Sequence, residues 1–167
     1  DHVINCKSVY HQAIQDFYSL LDSEISGIIQ SLDSNDEVIL MSDHGFTTAQ
    51  MEFDLNSWLA DNDWLQWAQD GSKGLDAITR DSRAYSLLPG RIFVKANEDK
   101  EQLTQELMQI KQPDNNETLF KAVVDGQSIF HGQCMERAPD LLAIPNDGFE
   151  LKGRLSRGPH FQPSRLQ

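Results

Sequence analysis

Residues 38–46 read Val-Ile-Leu-Met-Ser-Asp-His-Gly-Phe. Four apolar residues, Val38 to Met41, run without alternation towards Asp43 and His44, side chains of the kind that bind metal ions. An apolar run of this length predicts a short strand buried on both faces, as in a parallel α/β sheet. Ligands of such sheets sit just past the carboxyl ends of the strands, which is where Ser42-Asp43-His44-Gly45 falls. Neighbours in an extended strand point to opposite faces. One ion reached by both side chains therefore needs a bend, and Gly45 tolerates one. An Asp oxygen and a neutral His nitrogen both suit zinc or a similar divalent ion. A loop with an Asp cap and a surface His accounts for the doublet equally well, so the pair alone decides little.

Upstream, Tyr10, Ile14, Phe17, Leu21, Ile25, Ile28 and Leu32 recur at steps of three and four. That spacing predicts one amphipathic helix over residues 8–32, with Gln15, Asp22, Ser26 and Gln30 off the apolar stripe. Residues 32–36 lose the pattern and read as a loop. Downstream, residues 54–62 predict a short helix capped by Asp54 or Asn56. The glycines at 71 and 74 mark a loop. Residues 84–88 and 91–96 predict strands on either side of the Pro89–Gly90 turn. A helix over 100–110, a polar turn over 113–117 and strands over 119–124 and 140–144 follow. After Gly153 the pattern fades, with three Arg and two Pro in residues 154–167. The expected fold class is α/β, a first helix–strand unit followed by a strand-richer α+β portion.

At 167 residues the chain suits one domain or a large part of one. A net charge of −12 argues against nucleic acid or an anionic lipid surface as a bulk partner. It leaves room for a small anionic substrate wherever a bound divalent ion reverses the local sign. No run approaches the roughly 20 apolar residues of a membrane span, and no signal peptide is visible. Two cysteines, Cys6 and Cys134, are too few for a disulfide framework and leave the compartment open.

The order of these segments resembles the alkaline phosphatase superfamily, in its type I phosphodiesterase and nucleotide pyrophosphatase branch. The resemblance rests first on the Ser42-Asp43-His44-Gly45 strand end after a long helix, followed by Asn56-x-Trp58-Leu59. Ala84-Tyr85 through Gly90-Arg91-Ile92-Phe93-Val94 continues it, as does Ile129-Phe130-His131-Gly132. Ala138-Pro139-Asp140-Leu141-Leu142, with Pro145 and Gly148, completes it. What the resemblance implies is an alkaline-phosphatase-like α/β sandwich of which residues 1–167 form an incomplete part. Residues 8–62 would be the helix–strand–helix unit with the metal doublet, and 84–153 the α+β portion. It implies a hydrolase of small phosphoesters with two divalent metal ions, zinc or manganese. Asp43 and His44 would ligate the ion nearer a Thr or Ser nucleophile.

The nucleophile of that family lies far upstream of the doublet, so no catalytic residue is assigned within this chain. A family Asp-x-x-x-His pair finds only Asp1 and Asn5 here. A third ligand His usually follows a Gly, which makes His160 a candidate. With one ligand pair, residues 1–167 alone are expected to bind zinc weakly and to turn over no substrate. Apolar surface left by a missing family strand would favour self-association. The alternatives are a phosphomonoesterase, a phosphonate hydrolase or a phosphoryl transferase of the same fold, or a binding module without catalysis. Other notable side chains have plainer explanations. His131 suits a packed turn, His11 an exposed helix position, and His2 lies near the terminus. Trp58, Trp64 and Trp67 suit core packing as well as base stacking. Thr47 and Thr48 suit loop hydroxyls, and Arg83 and Arg91 suit solvated or paired cations.

Overall fold

The structure, a computed structural model, describes residues 10–45 and 47–164, without the side chain of His11. The chain divides into two compact units, Asp1–Thr48 and Ala49–Gln167.

In the first unit the three-and-four periodicity becomes helix α1, His11–Gln30. The amides of Ser31 and Leu32 close its last turn onto the carbonyls of Ile28 and Ile29. The Ser31 hydroxyl also donates to Ile28 O at 2.7 Å. In the loop that follows, Asp36 accepts from the Asp33 amide at 2.8 Å. The strand expected over Val38–Met41 is not formed, and these four residues stand exposed, Ile39 at 83%. A strand exists only through ladder bonds to a neighbour, and among the described residues every strand belongs to the second unit. Apolar composition supplied the tendency to be extended but not the partner. The stripe along α1 is likewise exposed at Phe17 and Ile28.

Among its described residues the second unit carries two sheets, two α-helices and three short 3-10 helices. Strand β1, Met51–Asp54, runs directly into helix α2, Leu55–Asp61. Asp54 makes that junction possible, because its carboxylate accepts from the Ser57 amide at 3.0 Å and so caps α2. Strands β2 (Ala84–Leu88) and β3 (Arg91–Val94) form a hairpin. Helix α3, Asp99–Met108, precedes β4 (Phe120–Asp125) and β5 (Leu141–Pro145). Strands β6 (Phe149–Lys152) and β7 (Phe161–Pro163) close the order. One sheet runs β2-β3-β5-β4, antiparallel throughout. The other runs β6-β1-β7, with β1 parallel to β6 and antiparallel to β7. The described chain, with helices and two sheets, is mixed α/β, as expected.

Pro89–Gly90 turns β2 into β3 with Pro at the first central position and a positive φ of 71° at Gly90, the pattern of a type II turn. A side chain at Gly90 would also place its Cβ 2.6 Å from Ala143 O on β5, so the position excludes one twice over. One continuous apolar core fills the unit. Phe53 of β1 meets Phe120 of β4 edge-on at 5.9 Å and Phe161 of β7 at 4.9 Å, which ties the two sheets together. Trp58, Trp64 and Trp67 are all buried in this core, which favours packing over base stacking.

The three-stranded sheet was not anticipated. Met51-Glu52-Phe53-Asp54 carries two carboxylates, yet Glu52 and Asp54 are 4% and 1% exposed. Buried charges need partners, and here they come from a hundred residues away. The Arg154 guanidinium binds Glu52 closely and reaches Asp54 Oδ2 at 3.2 Å. Burial opposes the charge on Arg154, but the hydrogen bonds to Glu52 and Asp54 outweigh it and push its pKa above the usual arginine value.

Candidate functional site

Asp43 and His44 lie on an irregular segment with a bend at Asp43, so the bend that a shared ion requires is present although the strand is not. Three local bonds hold it. The Ser42 hydroxyl donates to His44 O at 2.6 Å, and the His44 amide donates to Asp43 Oδ1 at 3.0 Å. His44 Nδ1 lies 3.0 Å from Gly45 O. A carbonyl only accepts, so this bond is made by Nδ1–H, and in a neutral ring that leaves Nε2 for a metal ion. His44 Nε2 stands 3.6 Å from Asp43 Oδ2. Two donors on a tetrahedral zinc at about 2.0–2.1 Å are separated by roughly 3.3–3.4 Å. The pair therefore fits two corners of such a site. Both side chains are open to solvent, Asp43 at 86% and His44 at 68%.

A cavity of about 1080 Å³ within the first unit is lined by Tyr18, Asp22 and Ile25 of α1 and by Ser42, His44 and Gly45. Asp22, which lies off the apolar stripe of α1, thus shares a cavity with His44. Even so, no group of three or more His, Cys, Asp or Glu side chains able to hold a metal ion occurs among the described residues. Asp1, His2, Asn5 and Cys6 lie outside the described residues, as does the side chain of His11. Cys134 is an exposed free thiol.

Most of the remaining candidates lie in the second unit. His160 Nε2 bonds Asp61 Oδ2 at 2.7 Å. His131 and Arg91 are exposed, and so is Thr47 in the first unit. Arg83 has a structural place: its guanidinium lies 4.0 Å over the Trp64 ring and pairs with Asp99 at 2.5 Å. Asn56 and Asp140, quoted above within motifs, are likewise structural. Asn56 is fully buried and bonds the backbone of β2. Asp140 Oδ2 accepts from the Val94 amide at 2.8 Å, while Oδ1 pairs with Lys100 at 3.1 Å.

The hydrogen bond from Arg83 holds the Asp99 carboxyl below the usual carboxylate range, against a smaller opposing effect of burial. A carboxyl with a lowered folded-state pKa stabilises fully above its unfolded value, and the gain is lost as pH falls through the folded value. The melting-temperature gap between the natural chain and Asp99→Asn should therefore be widest near neutral pH and close as pH drops below about 4. Thermal melts at pH 7 and pH 3 check this, and an equal gap at both would refute it.

The family model for type I phosphodiesterase / nucleotide pyrophosphatase matches residues 1–162, nearly the whole chain. The chain belongs to this family. It is thereby a member of the alkaline phosphatase superfamily, a family of hydrolase type that acts on small phosphoesters. No curated protein and no solved structure matches it significantly. Within this phosphodiesterase-family chain, no helix among the described residues is long and apolar enough to cross a membrane.

Proposed function

We propose that the protein is a metal-dependent phosphodiesterase of the nucleotide pyrophosphatase type, and that Asp43 and His44 hold one of two divalent ions, zinc or manganese. The observation that carries this reading is the 3.6 Å approach of His44 Nε2 to Asp43 Oδ2, within a chain of the phosphodiesterase family. Asp43 would contribute a carboxylate oxygen and His44 its Nε2. When bound, such ions polarise the phosphoryl oxygens and stabilise charge on the attacking and leaving oxygens. The chain's own contribution is positioning. Gly45 O fixes the His44 tautomer, and the Ser42 hydroxyl with the Asp43 carboxylate fixes the bend. The exposure of both side chains admits substrate and water. The remaining ligands and the nucleophile are sought outside the described residues. A small phosphoester remains the proposed substrate, and the net charge of −12 speaks against a nucleic-acid partner.

The absence of a third ligand among the described residues favours one competitor, a family member that binds without catalysis. Metal removal separates the two. The protein at its natural length, loaded with zinc or manganese, should hydrolyse bis(p-nitrophenyl) phosphate faster than p-nitrophenyl phosphate. A chelator should abolish the reaction, and added metal should restore it. Faster cleavage of the monoester would redirect the assignment to a phosphomonoesterase. Cleavage of neither compound by the metal-loaded protein would favour the non-catalytic module.

A further inference from the structure

The cavity of about 1080 Å³ beside His44 has a wall that the metal doublet does not use. Tyr18, Leu21 and Ile25 fall at steps of three and four, on one face of α1. Leu40 and Met41 complete the apolar lining, and Ser42 and His44 join it to the doublet. Much of this wall is open to water: Tyr18 is 59% exposed, Leu21 42%, Leu40 77% and Met41 82%. Exposed apolar surface gathered in one place marks a ligand groove or an interface. We propose that this cavity receives the non-leaving arm of the phosphoester substrate, and that the arm is apolar, an alkyl or aryl group. The inference rests on the Asp43–His44 reading and narrows it.

Position and charge select that occupant. The imidazole that would hold the ion also lines the cavity, so a substituent on the bound phosphorus has the apolar wall within its reach. Continuity with the doublet is what favours substrate over a second copy of the chain. Asp22 is the one carboxylate of the lining, and no Lys or Arg occurs from residue 10 to residue 48. A second phosphate in the arm would therefore meet no cation from these residues and would face Asp22. An apolar arm instead takes the side chains of Leu21, Leu40 and Met41 out of water.

The test uses the methyl, hexyl and thymidine 5′ esters of p-nitrophenyl phosphate, which share a leaving group and differ in the other arm. In each, water replaces p-nitrophenolate on phosphorus, and the two alkyl esters match in intrinsic reactivity. The protein at its natural length, loaded with zinc or manganese, should cleave the hexyl ester with kcat/KM at least about tenfold above the methyl ester. The thymidine ester should fall below the hexyl ester. Leu21→Ala and Ile25→Ala should each lower the hexyl-to-methyl ratio by about threefold or more. A ratio does not depend on the fraction of protein that folds, so a destabilised variant still tests the wall. Metal-dependent cleavage with a ratio near one overturns this inference alone, and would mean that protein rather than substrate covers the wall. So does a ratio that neither variant changes. A thymidine ester cleaved faster than the hexyl ester overturns the class of the arm. Cleavage of none of the three by the metal-loaded protein refutes the Asp43–His44 reading itself, and this inference falls with it.

Discussion

Replacing His44 with alanine in the protein at its natural length lowers phosphodiester hydrolysis by more than about a hundredfold and leaves its melting temperature unchanged. Loss of a group that merely orients a metal ligand costs about 10–100-fold in affinity or activity, so loss of the ligand itself should exceed that. Stability is spared because the side chain is 68% exposed, and its Nδ1 bond goes to an adjacent carbonyl. Surface changes of that kind stay within about 0.5 kcal/mol. Asp43→Asn should behave alike with a smaller loss, since the amide oxygen can still accept from the His44 amide but offers a metal no charge. Steady-state rates at saturating zinc or manganese, with melts of each variant, check both claims. A fall in activity that tracked a fall in stability would mean that the doublet serves folding instead.

Replacing Asn56 with alanine should produce the largest loss of stability among single changes in the second unit, about 3–5 kcal/mol. Its amide nitrogen donates to Ser86 O at 2.7 Å and to Arg154 O at 3.0 Å, and its oxygen accepts from the Ser86 amide at 2.7 Å. Alanine would orphan three backbone groups at once, each worth roughly 1–3 kcal/mol when buried and unmet. Whole domains hold only about 5–15 kcal/mol, so much of the stability of this unit would go. Asn56→Asp should be no milder. A carboxylate cannot donate to either carbonyl, and it would bury a charge. Urea denaturation of both variants measures the effect, and a loss under about 1 kcal/mol for Asn56→Ala would contradict it.

Local physics was readable and distant pairing was not. The α1 helix follows from the steps of three and four between Tyr10 and Leu32. The β2–β3 hairpin follows from Pro89–Gly90, and the start of α2 from Asp54, because caps and turns depend on residues next to one another. Strand β1 was hidden because Glu52 and Asp54 look like surface residues until Arg154 is placed beside them. Nothing in a sequence pattern announces that pairing. Val38–Met41 shows the converse: its composition suits a strand, but a strand needs a neighbour, and none of the described residues pairs with it. Asp43 and His44 were legible as chemistry, as residue types that ligate metals. The Nδ1 bond to Gly45 O that sets the imidazole tautomer appears only in three dimensions.

The central claim is that Asp43 and His44 together hold a divalent ion in a phosphodiesterase. Anomalous diffraction at the zinc edge, from crystals of the active zinc-loaded protein at its natural length, addresses it most directly. The expected result is a peak about 2.0–2.2 Å from both an Asp43 carboxylate oxygen and His44 Nε2. Zinc peaks in the active protein that lie beyond coordinating distance of both residues would contradict the account.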